Sequence, residues 1–185
     1  MPLISDYLVQ NNEEDSSILH TKLPDINIRL FKSARAGYRS FIYGIVMYMS
    51  GIMKIDFDDY DTKLKGLSGA NVGIPLNIVC IRIEGDKGLP KDYTKYISLP
   101  EVFFYLNPKI VKHSKGATIV SSSCGSLADG RPVKVARYLW VDVEHYNLDG
   151  EKELHRYHRP YSCTFQHEID HNSGILITDK PVKEE

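Results

Sequence analysis

The chain has 185 residues, of which 42% are apolar and 25% charged, with a net charge of −1. That balance is the ordinary one of a folded globular chain and argues against a disordered or membrane-embedded one. The near-zero charge, with no Lys/Arg block, removes the long-range pull toward nucleic acid or anionic lipid, so neither a nucleic-acid partner nor membrane insertion is expected.

The length suits one domain with one core: a polar leader over residues 1–18, then a single domain over 19–185. The three cysteines, Cys80, Cys124 and Cys163, are odd in number and widely spaced. They argue against a disulfide framework and for a reducing compartment. Met1 to Ser17 is acidic and polar, unlike a secretory signal or an Arg-rich transit peptide, so cytoplasmic residence is expected.

Residues 33–54 predict one long helix with a polar start. Its segment Phe41 to Met53 is apolar nearly all round but shorter than the ~18 residues needed to span a bilayer, and reads as a buried core helix. The acidic stretch Asp56 to Asp61 ends it. A glycine-rich turn over Gly66 to Gly73 leads into a β-branched run over 78–83, a strand. Residues 84–100, with two glycines and two prolines, predict a long surface loop.

Strands are predicted at 102–106 and 117–121, then a long alternating one from Val135 to Tyr146 with Val135, Leu139, Val141 and Val143 on one face. Asn147-Leu148-Asp149-Gly150 is a turn signal joining it to 152–154 as a hairpin. An antiparallel sheet follows. Pro160 and Ser162 supply helix-start chemistry and Gly174 a stop, framing a helix over 160–173.

That last helix carries His167-Glu168-Ile169-Asp170-His171. A step of four residues advances about 400°, which returns both imidazoles to one face, and Glu168 points some 100° aside, the place of a general base rather than a ligand. Two exposed helix histidines are the plainer reading of so short a pattern. Phe165 and Ile169, four apart on an apolar face, favour a buried helix and hence a metal.

A third ligand is then wanted, and Cys124, in the small-residue turn Ser121 to Ser126, is the candidate; a buried core cysteine is its alternative. Cys80 reads as core, and Cys163 is not assigned to the metal. His113, His145, His155 and His158 lie on polar or alternating surface patterns and His20 in the leader, so each is expected to be structural or solvated.

Three stretches together resemble the peptide deformylase family: Gly66 to Pro75, the Cys124 turn, and Gln166 to His171, which continues through Asn172-Ser173-Gly174. Leu106 to Val111 and the hairpin at 147–150 are also similar, and the resemblance spans about residues 20–180. It implies an α+β fold with antiparallel β-sheets packed around a central metal-bearing helix, and a catalytic domain over 19–185. It also implies a hydrolase of protein biosynthesis that removes formyl from N-formyl-methionyl nascent polypeptides in N-terminal methionine processing. The implied cofactor is one divalent metal on Cys124, His167 and His171. Fe²⁺ is the first choice, and Zn²⁺, Ni²⁺ or Co²⁺ suit the same donors. Glu168 would handle the proton, with the side-chain amide of Asn71 and the backbone N–H of Gly125 as oxyanion donors.

The chain departs from the family motifs at Asn71 (Gln in the family), at Ser122 and Ser123 (Glu-Gly), and at Gly125 (Leu). Asn is one methylene, about 1.5 Å, shorter, and losing one oxyanion donor typically slows a reaction by roughly 100- to 1000-fold. Ser122 cannot pair charge with Arg137 as the family's Glu does, so bracing must come from elsewhere. Around the pocket stand Tyr161, Cys163, Thr164 and Lys65. Only 11 residues follow Gly174, so the long C-terminal helix by which some members dock on the ribosome is not expected, and ribosome contact does not follow. The alternatives are a divergent metal-binding relative with an altered acyl-peptide substrate or no catalysis, an ordinary His-Glu-x-x-His zinc endopeptidase, and a structural metal site, which would want a fourth ligand.

Overall fold

The run Ile78–Ile83 is apolar at nearly every position, as suits a strand covered on both faces. In the computed structural model, which describes residues 7–12, 16–33, 36–54, 64–83 and 101–182, it is covered on both. The strands are β1 (Gly66–Ser68), β2 (Ile78–Ile83), β3 (Glu101–His113), β4 (Ala117–Ser122), β5 (Val133–Tyr138), β6 (Trp140–Tyr146) and β7 (Lys152–His158). One antiparallel sheet runs β1-β2-β3-β6-β7, and β4 pairs with β5 as a separate hairpin. The helices are α1 (Ile28–Lys32), α2 (Ala36–Lys54) and α3 (Tyr161–Asn172). The acidic stretch 56–61, the loop 84–100 and residues 1–6 and 13–15 of the leader lie outside the described residues.

The two faces of β2 set the layers. Ile78 and Cys80 point to the side where α2 lays down Ile42, Ile45, Met49 and Met53, while Val79, Ile81 and Ile83 point to the side of Tyr161 and Phe165 of α3. On α2 the buried positions recur every three or four residues, so a helix lying on a sheet hides one side only. Phe41 and Met47, on the other side, are 57% and 72% exposed, which corrects the expectation of a helix buried all round. Among the described residues no helix is long and apolar enough to cross a membrane.

The predicted long strand over 135–146 is in fact two. β5 ends at Tyr138 and pairs with β4; β6 begins at Trp140 and joins the large sheet. The backbone between them bonds to side chains instead of a ladder: the N–H of Tyr138 donates to Gln166 Oε1 at 2.9 Å, and that of Leu139 to Ser114 Oγ at 2.9 Å. Leu139 therefore leaves the inward face that Val135, Val141 and Val143 keep. Alternation cannot reveal such a break, because both strands keep the same parity.

The described leader residues lie along the domain. The N–H of Val9 donates to the carbonyl of Asn71 at 2.8 Å, and Leu8 and Leu19 are buried. At the far end, Gly174 ends α3 with φ of 75°, and a Cβ there would stand 2.7 Å from the His20 carbonyl carbon. Only glycine meets both demands.

Candidate metal centre

α3 presents His167 and His171 one turn apart, and the turn after β4 brings Cys124 against them. Cys124 Sγ lies 3.2 Å from His171 Nε2, which lies 3.1 Å from His167 Nε2. In a tetrahedral site with bonds of about 2.0–2.3 Å, donor atoms stand about 3.3–3.7 Å apart, so these three fit one ion with little adjustment. Cys124 is anchored by burial among Leu19, Ala70, Leu127 and Val135, and its carbonyl accepts from Leu127 N at 3.1 Å. The Ser122 hydroxyl reaches His167 Nδ1 at 3.5 Å.

Burial shapes the electrostatics. It holds His167 down to about 4 and His171 well below its ordinary value; the Arg137 cation adds to both, and for His171 the neighbouring His167 ranks ahead of it. Neutral imidazoles are the form that binds metal. Burial also pushes the Cys124 thiol up to about 12, against the N–H groups of Ser126 and Leu127. Metal binding must therefore expel that proton, which makes affinity rise with pH.

Glu168 is buried and its Oε2 has no hydrogen-bond partner. Burial raises its carboxyl to about 8, with the Arg137 charge opposing. A group whose folded pKa exceeds its unfolded one stabilises fully below the unfolded value and loses that contribution as pH rises through the folded value. The stability difference between the metal-free protein and its Glu168→Gln variant is thus expected to change steadily from about pH 4.5 to about 8, with wild type losing ground as pH rises. Urea melts across that range measure it, and a flat difference would contradict a desolvated carboxyl.

Gly66 explains how Glu168 fits. A Cβ there would lie 2.7 Å from Glu168 Oε1 and 2.8 Å from Thr164 Cγ2, so a larger residue in β1 would have to push the Glu168 and Thr164 side chains aside. The bracing that Ser122 cannot give Arg137 comes from α3: Arg137 pairs with Asp170 at 2.5 Å, and Lys180 holds the other oxygen of Asp170 at 2.8 Å. Arg137 thus has its carboxylate partner on α3. Gln166 adds a clamp: its Nε2 donates to the carbonyls of Tyr138 and Ser162.

Cys124, His167, Glu168, Gly66 and Arg137 border an open cleft of about 800 Å³, lined also by Asn71, Gly125, Lys65, Cys163 and Thr164. Asn71 is tightly engaged. Its Oδ1 accepts from the Ser68 N–H at 2.9 Å and hydroxyl at 2.6 Å, and its Nδ2 donates to Ser126 Oγ at 3.0 Å. Tyr161 faces the core beside Tyr157 and Phe165 and is absent from the cleft lining. Cys80 is core, as expected. Sequence reasoning missed Gln10, whose Nε2 donates to the Gly125 carbonyl at 3.0 Å; a lone polar residue in a polar leader carries no signal. It also misplaced His145, which is buried at 1% exposure beside Glu153 and His155.

Comparison with known proteins agrees with this geometry. Residues 45–185 match the polypeptide deformylase family model. A peptide deformylase of Streptococcus thermophilus is 32% identical over 120 residues, 62% of this chain and 57% of that protein. One of Chloroflexus aurantiacus is 34% identical over 119 residues, 62% of each. The chain thus matches less than two thirds of the length of these curated relatives. In fold, it resembles a class I type b peptide deformylase from Acinetobacter baumannii in a Met-Ala-Ser bound structure, with TM-score 0.71 and 19% identity over 94% of this chain and 96% of that one. It also resembles peptide deformylase from Thermotoga maritima, with TM-score 0.71 and 18% identity over 96% and 98%.

Proposed function

The chain belongs to the polypeptide deformylase family, and from that premise we propose that it removes the formyl group from N-formyl-methionine of newly made polypeptides, releasing formate. The observation that carries this reading is the convergence of Cys124, His167 and His171 within 3.2 Å of their neighbours, with Glu168 buried beside them on an open cleft. The A. baumannii relative in its Met-Ala-Ser bound form supports a peptide with N-terminal methionine as the occupant. Fe²⁺ is the proposed resident ion, with Zn²⁺, Ni²⁺ and Co²⁺ suited to the same donors, and the cytoplasm the proposed setting.

Cys124, His167 and His171 would hold the ion, which when bound supplies Lewis-acid polarisation and makes water acidic at neutral pH. Glu168 then takes the proton of the attacking water and returns it to the departing amine. A carboxyl raised by burial suits the second half of that task, because it holds a proton near neutral pH. The Gly125 N–H and the second Nδ2 hydrogen of Asn71 are the proposed donors to the oxyanion. Gln10 and Ser126 fix the backbone and the amide that carry them.

The engagement of Asn71 with Ser68 and Ser126 favours, as a second reading, a relative with an altered acyl substrate or slow turnover. Anaerobically iron-loaded protein is expected to release formate from a formyl-methionyl tripeptide. No release despite one bound equivalent of metal would decide for the second reading.

Gly66→Ala is expected to lower kcat/KM at least about 100-fold in that assay with metal content retained, since a shift near 1 Å of a catalytic group is worth that much. Unchanged kinetics would mean that Glu168 does not need its present position.

A further inference from the structure

The β6–β7 hairpin carries a second cluster of metal-ligating side chains, separate from the cleft. His145 on β6 lies directly opposite Glu153 on β7, and His155 follows Glu153 by two residues on the same face. His145 Nε2 and His155 Nε2 each stand 3.2 Å from Glu153 Oε2, and the three ligand atoms all lie within 4.8 Å of one another.

The setting is unusual for such groups. This face of the sheet is otherwise apolar and aromatic: Val141, Val143, Tyr105 and Tyr157 are fully buried there. Tyr105 meets the His145 ring at 4.7 Å between centroids. Imidazoles and a carboxylate are costly in such surroundings unless they are hydrogen-bonded, paired or ligating, and here they are held against one another. The carboxylate is held by its other oxygen, since Asn147 Nδ2 donates to Glu153 Oε1 at 2.6 Å. Oε2 is thereby left turned to the two rings. His145 is only 1% exposed, so its ring is shut off from solvent. Glu153 is 31% exposed, so an ion has a way in from solvent.

We propose that His145, Glu153 and His155 form a second divalent-cation site, distinct from the centre at Cys124, His167 and His171. Two imidazoles and one carboxylate on adjacent strands suit Zn²⁺, Ni²⁺ or Co²⁺. Mg²⁺ and Ca²⁺ prefer oxygen ligands alone. Tetrahedral bonds of about 2.0–2.1 Å place such donors about 3.3–3.4 Å apart, close to the 3.2 Å at which each imidazole already stands from Glu153 Oε2. Burial holds His145 down to about 4 against the pull of the Glu153 carboxylate, with His155 adding to the lowering, so its ring is neutral and has a lone pair to give at pH 7. With three protein ligands the ion keeps room for water, and it ties the two strands together at their open edge.

Zn²⁺ serves as the probe. The full chain is stripped with chelator, and bound Zn²⁺ is counted by equilibrium dialysis and elemental analysis, for wild type, Glu153→Gln and His155→Leu. Both variants are expected to bind one equivalent fewer than wild type. Co²⁺ in place of Zn²⁺ is expected to keep the thiolate charge-transfer band of the Cys124 centre in all three proteins. Glu153→Gln is isosteric and decides the matter should His155→Leu fail to fold. Equal stoichiometry in wild type and Glu153→Gln, or a second equivalent held more weakly than about 100 μM, would overturn the proposal and leave a carboxylate that merely accepts hydrogen bonds from two imidazoles.

Discussion

Glu168→Ala is expected to slow formate release by about 10²–10⁴-fold while one equivalent of metal stays bound. The size follows from its position. Glu168 is not among the three proposed ligands, so its removal leaves His171 Nε2 at 3.2 Å from Cys124 Sγ and 3.1 Å from His167 Nε2. What is lost is the buried carboxyl raised to about 8, the group proposed to pass a proton between water and amine. Parallel kinetics and metal analysis separate the cases. A loss below about tenfold with metal retained would assign the proton to another group, and metal lost together with activity would make Glu168 a ligand.

Asp170→Ala is expected to destabilise the fold by about 3 kcal/mol, the usual penalty for leaving one partner of a buried ion pair alone. Arg137 is nearly inaccessible and its guanidinium meets Asp170 at 2.5 Å, whereas Asp170 is 18% exposed and also meets Lys180. Removal of the aspartate strands a buried cation; removal of the arginine leaves Asp170 with a lysine. Arg137→Ala should therefore cost less than Asp170→Ala. The double variant Arg137→Ala/Asp170→Ala should lose less than the sum of the two single losses, because no unpaired buried charge remains. Denaturant midpoints measure all three. Additive losses in the double variant would show that the two side chains act independently.

The two predictions differ in how far the sequence alone leads to them. His-Glu-x-x-His on a helix states its own geometry, so Glu168 stands out from spacing alone. Nothing in the spacing of Arg137 and Asp170 joins them, because β5 and α3 meet only when the chain folds. The same holds for the hairpin cluster. His145 looked like a surface residue because it alternates with Glu144 and Tyr146, yet its parity also matches Val141 and Val143, and the inward face won. Period-two patterns give parity. They do not say which parity faces the core.

By itself the sequence determined that the chain forms antiparallel strands with a His-Glu-x-x-His helix near its end, that His167 and His171 share a helix face, and that Ile78–Ile83 is a strand. Each of these depends on local periodicity or local chemistry, which a chain carries wherever it folds. Only the tertiary structure decided that Tyr138 and Leu139 break a long alternating run, that Asp170 is the carboxylate partner of Arg137, and that Gln10 reaches the Gly125 turn. Those pairings join residues far apart in sequence, and their energies arise from burial and close approach, which no window of neighbouring residues contains.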